Sequence, residues 1–331
     1  MAQTQNITNQ KKSENAFLNE IRGRLLEFSC ALNLAQSTGH QANFFRELGD
    51  MTIAEIQQYE NYLRINDLKS YQYIQQAGLI FSNHYRENYK LKFDQILLTG
   101  KFADKSNFKE ADIVVVADSC HDLVSIKLIK SNSFINSKSA GIKSIFSKYF
   151  NNSILQDKLN KKVDLYFNQF KISFYEYFDR CEQEITFSEL LKEYNLSDRP
   201  GQLPEDLRNL LFQFYRKCIE EAHHVFSWQF QHQSKEFHES LKPLLGFGQA
   251  KMKVYSFVHD ANFSTPRMTV HDAAVTDTQK IKISDVTGNT SFFIELDQLT
   301  LQIRVKPMNS FLAPSMKVNC SVKFKDDDQG P

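Results

Sequence analysis

The chain has 331 residues with 40 Lys plus Arg against 39 Asp plus Glu, so a formal net charge of +1 supplies no overall field drawing it to nucleic acid or membrane. Eleven glycines against 28 phenylalanines exclude a repeat or linker array and suit a compact, helix-rich protein with a sizeable core. The five cysteines (Cys30, Cys120, Cys181, Cys218, Cys320) are scattered and never form C-x-x-C, which argues against a disulfide framework or zinc ribbon and for a reducing compartment.

The opening stretch "MAQTQNITNQKKSENAF" is polar, without the apolar centre of a signal peptide. No apolar run approaches the ~20 residues of a membrane helix. The expectation is a cytoplasmic protein whose residues 1–12 form a disordered lead-in.

From 13 to 36 the pattern is helical, with Leu18, Ile21, Leu25, Phe28 and Leu32 in one apolar stripe. "HQANFFRELGDMTIAEIQQYENYLRIND" predicts a second helical section, broken near Gly49 and Asp50, with Thr52 and Glu55 as a capping box. "LKSYQYIQQAGLIFSNHYRENYK" predicts a third. At Leu91 the period changes: "LKFDQILLTG", "EADIVVVA" and "LVSIKLIK" are short β-branched runs separated by "KFADKSNF" and "DSCHD", a three-strand meander. "NSKSAGIKSIFSKYF" then returns to helical spacing, with Ser137 or Ser139 as N-cap. Residues 153–240 read as long helices. After Gly246 come five further strand-like runs, "KMKVYSFVHD", "RMTVHDA", "KIKISDV", "TSFFIELDQLTLQIRVKP" and "MKVNCSVKF", then a solvated tail, "KDDDQGP".

Two charges stand inside the apolar meander. With the turn centred between Ser119 and Cys120, Asp112 faces Lys127 with Cβ atoms ~5 Å apart. Ser125 shares their face, while Ile113, Val115, Ile126 and Leu128 cover the other. An acid beside a lysine on neighbouring strands suits metal-dependent phosphodiester cleavage, in which the carboxylate holds Mg²⁺ and the ammonium positions water or steadies phosphorane charge. The same pair is equally an ordinary cross-strand ion pair worth ~0–1 kcal/mol.

The order of helix, meander and helix, with Asp112 followed by "SIK", resembles the PD-(D/E)XK nuclease superfamily, and "SIKLIKSNSFINSKSAGIKSIF" resembles its restriction enzymes with an S-x-K motif and an N-x-S helix start. The resemblance covers roughly residues 14–150. It implies a restriction-endonuclease-like α/β (α+β) fold, a mixed central sheet flanked by helices. In it, 13–152 form a nuclease core with a helical insertion at 37–90, 153–245 a helical segment and 246–325 a β-rich C-terminal segment.

It further implies a Mg²⁺-dependent endonuclease on double-stranded DNA, working as a homodimer. Asp112 and Glu27 are the metal ligands, Lys127 the catalytic lysine and Ser125 a supporting contact. Ser125 stands where the superfamily has Asp or Glu, and a hydroxyl is a poor metal ligand beside a carboxylate. The alternative is therefore a catalytically inactive nucleic-acid-binding protein on the same scaffold. Glu20, one heptad before Glu27, is a second candidate for the helix acid.

Between Leu123 and Phe150 stand five lysines and no acid. Lys130, Asn136, Ser137, Lys138 and Lys143 are the expected nucleic-acid contacts, with free N–H groups at a helix start near 137–140. The alternative is a basic solvated helix face. His223, His224, His232 and His238 fit no metal spacing. Trp228 reads as core and Gly246 to Gly248 as a turn, while "VHDANFSTPRMTVHDA" has no spacing that assigns its His and Asp residues a role, and loop or base-contacting segment are both open.

Overall fold

The structure, a computed structural model, describes residues 2–89, 93–99, 111–117, 120–131, 133–246, 252–272, 280–288, 290–307 and 310–325, with side chains from Glu14 onward except at Ala16, Asp272 and Pro307. The expected turn "KFADKSNF", most of the Gly246 turn and all of the tail "KDDDQGP" after Lys325 lie outside them.

In chain order the helices are α1 (Ala2–Ser37), α2 (Gln41–Leu48), α3 (Asp50–Asn66) and α4 (Leu68–Asn88), and the strands β1 (Phe93–Leu98), β2 (Ile113–Ala117), β3 (Cys120–Lys130) and β4 (Ile135–Gly141) follow. Then come α5 (Ile145–Tyr149), α6 (Ser153–Glu176), α7 (Phe187–Glu193), α8 (Glu205–His232) and α9 (Ser234–Leu244). The chain ends in β5 (Met252–His259), β6 (Arg267–Asp272), β7 (Lys282–Ile283), β8 (Ser291–Glu295), β9 (Leu299–Pro307) and β10 (Met316–Phe324). It is a mixed α/β protein. It divides into two units, Met1–Ser133 with Phe247–Val275, and Phe134–Gly246 with Thr276–Pro331.

The first unit holds a sheet ordered β1-β2-β3-β5-β6, antiparallel except where β3 and β5 run parallel. One sheet face packs on α1 and α4 through Ile96, Ile113, Val115, Val124, Ile126, Tyr255 and Phe257, all buried. The stripe of α1 does as its spacing predicts, with Ile21, Leu25 and Phe28 buried and Leu18 and Leu32 packed against the same core. Leu26, Cys30, Ala31, Leu34 and Ala35 are buried too, because α1 lies under α4 as well as against the sheet. Gly78 of α4 makes that approach possible: a Cβ there would lie 2.8 Å from the carbonyl oxygen of Ser29.

Two expectations are corrected in this region, the disordered lead-in and the capping box, while the expected break near Gly49 is present. Residues 2–12 are the first turns of α1 instead of a disordered lead-in. The break between α2 and α3 falls at Gly49, whose φ of 75° glycine adopts readily. No capping box forms there, since α3 starts at Asp50 and Glu55 accepts from Arg24 and Tyr59.

The second unit pairs a wholly antiparallel sheet, β4-β10-β9-β8-β7, with α5 to α9. Val318, Cys320, Val322, Ile303, Val305, Phe292 and Ile294 are buried on one sheet face, and Phe292 meets Phe226 of α8 at 5.5 Å between centroids. Phenylalanines 167, 170, 174, 187, 214 and 311 interlock beyond it.

The expected helix over 137–150 is largely absent. Residues 135–141 form β4 against β10, from Ile135 opposite Val322 to Gly141 opposite Lys317, and only Ile145–Tyr149 is helical. Ser137 caps nothing; its hydroxyl donates to the carbonyls of Leu244 and Cys320. Between Ile135 and Ala140 no apolar residue lines a helix face, and a partner 180 residues away supplies the ladder instead. The unit boundary at 133/134 also divides the expected 13–152 core, and β5 and β6 of the expected C-terminal segment join the first unit's sheet.

Candidate functional site

The meander forms as expected, but its register differs by two residues. Ile113 pairs with Val124 and Ala117 with Cys120, and the Asp112 N–H donates to the Val124 carbonyl at 2.8 Å. Continued by one residue, this sets Asp112 against Ser125, with Lys127 on the diagonal. A shift of two preserves side-chain parity, so all three still share a face.

Three donors converge on one carboxylate oxygen of Asp112. The Ile126 N–H reaches Oδ2 at 2.7 Å, the Ser125 hydroxyl at 2.8 Å and the Lys127 ammonium at 3.0 Å. No described residue donates to Oδ1. The side chains of Asp112 and Lys127 are 14 % and 32 % exposed, so water screens this pair less than an open surface pair.

Glu27 of α1, half-buried between Leu26 and Phe28, adds its field. Burial alone lowers the Lys127 pKa; the charges of Asp112 and Glu27 and the Asp112 hydrogen bond outweigh it and hold that pKa above the ordinary lysine value. Burial drives the Cys30 thiol well up, and Glu27 and Asp112 push it further. Glu20, the second candidate for the helix acid, pairs with Arg24 at 2.9 Å.

The other side chain of this face was not foreseen. Parallel β5 places Ser256 beside Lys127 in register, fully buried, its hydroxyl without a hydrogen-bond partner among the described residues. No local signal marks it, because parallel neighbours are joined only by a long crossover. On the sheet's other face, Asp122 accepts from the Tyr85 hydroxyl and, at 3.3 Å, from Lys253, whose ammonium lies 3.6 Å from the Tyr89 ring centroid.

The expected nucleic-acid contacts do not gather on one helix. Lys130 ends β3, exposed, in the first unit. Asn136, Ser137, Lys138 and Lys143 belong to the second unit. Asn136 accepts from Ser321 at 2.9 Å, Lys138 lies on β4 and Lys143 pairs with Asp164. Residues 137–140, expected at a helix start, instead lie in the edge strand β4, paired with β10. Of the helix histidines, His223 has its pKa lowered by burial, consistent with a neutral packed ring against Phe292. Trp228, expected in the core, is 41 % exposed and stacks on His232 at 4.6 Å.

Among the described residues no three His, Cys, Asp or Glu side chains gather to hold a metal ion. The carboxylates within electrostatic reach of Lys127 are Asp112 and Glu27, and a hard cation that keeps waters and substrate oxygens needs only one or two. No helix among the described residues is long and apolar enough to cross a membrane. No family model, curated protein or solved structure matches the chain.

Proposed function

We propose that this protein is a Mg²⁺-dependent endonuclease acting on double-stranded DNA, built on a restriction-endonuclease-like core. The observation that carries the reading is the Asp112 carboxylate, with Oδ2 held by Lys127, Ser125 and the Ile126 N–H and Oδ1 bonded to no described donor. That arrangement fits the ion: Oδ1, with no described donor, is left as a hard anionic ligand while the other oxygen fixes the carboxylate, and Glu27 would supply the second carboxylate. Bound there, Mg²⁺ would polarise a phosphate oxygen and acidify water. Lys127, held protonated by Asp112 and Glu27, donates to the attacking water or to charge developing on the phosphate. Ser125 is a positioning residue, since its hydroxyl is spent on Asp112. Cleavage of both strands calls for a homodimer.

A second reading, a nucleic-acid-binding protein without catalysis, is favoured by Ser125, a neutral group in the position that usually carries an acid. One experiment separates the two: incubation of plasmid DNA with wild type, Asp112→Ala and Lys127→Ala, with and without Mg²⁺. Metal-dependent nicking lost in both folded variants supports the enzyme. Salt-dependent duplex binding without nicking in Mg²⁺ or Mn²⁺ selects the binding protein.

A further inference from the structure

In the second unit, the sheet face turned away from Phe292, Ile303 and Val318 carries polar and basic side chains. The register puts Lys306 directly opposite Lys317 and Arg304 opposite Asn319, with Ser291 across from Arg304 on its other side and Ser139 across from Asn319. Arg304, Lys306 and Lys317 are exposed, and none has an ion-pair partner among the described residues. Like charges directly opposite on adjacent strands oppose folding. Among the described residues no carboxylate pairs with either lysine, and Glu295 of the same face sits at the far end of β8 opposite Thr300.

We infer that this face binds the phosphate backbone of a nucleic acid, with Arg304, Lys306 and Lys317 as its cationic contacts. The inference rests on the proposed function for the choice of nucleic acid among polyanions. Two residues along a strand separate Arg304 from Lys306 by ~7 Å, and neighbouring strands lie ~5 Å apart, so the three cations form a cluster on the scale of successive phosphates. The side chains between them are Asn319, Ser139 and Ser291, short hydrogen-bonding groups suited to phosphate and sugar oxygens. An anionic membrane fits less well, because Ser291 and Ser139, directly across from Arg304 and Asn319, are short and polar, and the aromatic of this face, Phe293, is half-buried against Phe134. The clustering is invisible in sequence: Arg304 and Lys306 lie on one hairpin arm and Lys317 on the other, in a chain of nearly zero net charge.

The test measures binding of a fluorescent 20-base-pair duplex by anisotropy in EDTA, over a salt series, for wild type and for Arg304→Ala/Lys306→Ala/Lys317→Ala. Loss of three phosphate contacts predicts a fall of about 2.7 in the slope of log K against log salt. The charge-conserving Lys306→Arg/Lys317→Arg variant retains the wild-type slope. An unchanged slope in the triple alanine variant overturns the inference, as does binding to phosphatidylserine vesicles without binding to duplex. Cleavage is scored separately in Mg²⁺. A wild type that nicks plasmid while the triple variant binds normally removes this face and leaves the nuclease reading standing. Salt-dependent binding through this face without nicking does the reverse.

Discussion

Lys127 reaches Asp112 diagonally across the β2/β3 ladder, its ammonium 3.0 Å from Oδ2, while Ser125 occupies the facing position and donates to the same oxygen at 2.8 Å. One carboxylate oxygen therefore organises a lysine, a hydroxyl and a backbone N–H. This interdependence makes the pair testable by stability as well as by activity. Asp112→Asn removes the charge and keeps the shape, and costs about 1–3 kcal/mol because Lys127 loses its counter-charge in a partly buried place. Asp112→Asn/Lys127→Met loses less than the sum of the two single variants, as a double-variant cycle of urea melts will show. Additive losses would mean that the two side chains do not interact in solution. In the nuclease assay, Lys127→Met lowers cleavage by on the order of 10²–10³-fold.

Glu27 gives a prediction that a surface helix residue would not. If it completes the ion's ligand set, Glu27→Gln raises the Mg²⁺ concentration for half-maximal cleavage by on the order of 10–100-fold. Thermal stability in EDTA stays within about 1 kcal/mol of wild type, since the amide keeps the packing. Titration of nicking rate against Mg²⁺ reads the effect directly. An unmoved midpoint would leave Asp112 as the lone carboxylate.

How much of this was legible in the sequence follows from which contacts are local. The α1 stripe and the meander are written in period and turn residues close in sequence. The shared face of Asp112, Ser125 and Lys127 was legible too, because parity survives a register error of two residues. The β4 strand was not. Its partner β10 lies 180 residues on, and Ser-rich "NSKSAG" has no periodicity of its own. Ser256 was hidden for the same reason, since its parallel pairing depends on a crossover of more than a hundred residues. Lys138 and Lys143 share one basic helix face only in a helix over 137–150, whereas 135–141 is a strand.

Gly78 tests the architecture that holds Glu27 in place. In Gly78→Ala the new methyl meets the Ser29 carbonyl at 2.8 Å, and backbone cannot step aside as a side chain can. Helices α1 and α4 must separate, and overpacking of this kind costs about 1–3 kcal/mol. A loss of that size lowers the melting temperature by several degrees, and cleavage falls with it because Glu27 rides on α1. A variant as stable as wild type would show that the two helices lie further apart than described.

Alkaline pH probes the second unit through Cys320. Burial pushes this thiol up to about 12 from an ordinary 9.0, so the folded chain keeps the proton while the unfolded chain releases it. The unfolded state then binds fewer protons between those values, and stability falls as pH rises. The contribution is fully present below pH ~9 and is lost progressively toward ~12, at up to about 1.4 kcal/mol per pH unit. Cys320→Ala is less stable than wild type at pH 7 through lost packing, and the gap narrows as pH rises from 9 to 11. Parallel denaturation curves at each pH would refute the assignment.

Ser125 offers the sharpest trial of what the site is for. Restoring an acid with Ser125→Asp sets two carboxylates against each other at facing positions, where like charges raise one pKa and oppose folding. In EDTA the variant melts below wild type. A divalent cation relieves the repulsion by binding both groups in the folded state only, so added Mg²⁺ raises its melting temperature, by about 2.7 kcal/mol of stability at a hundred times Kd. The wild type, with a hydroxyl in that position, shows a smaller shift under the same titration. If Mg²⁺ moves the two proteins equally, the face bearing Asp112 and Lys127 is not where the ion binds, and the pair reverts to a structural cross-strand bridge.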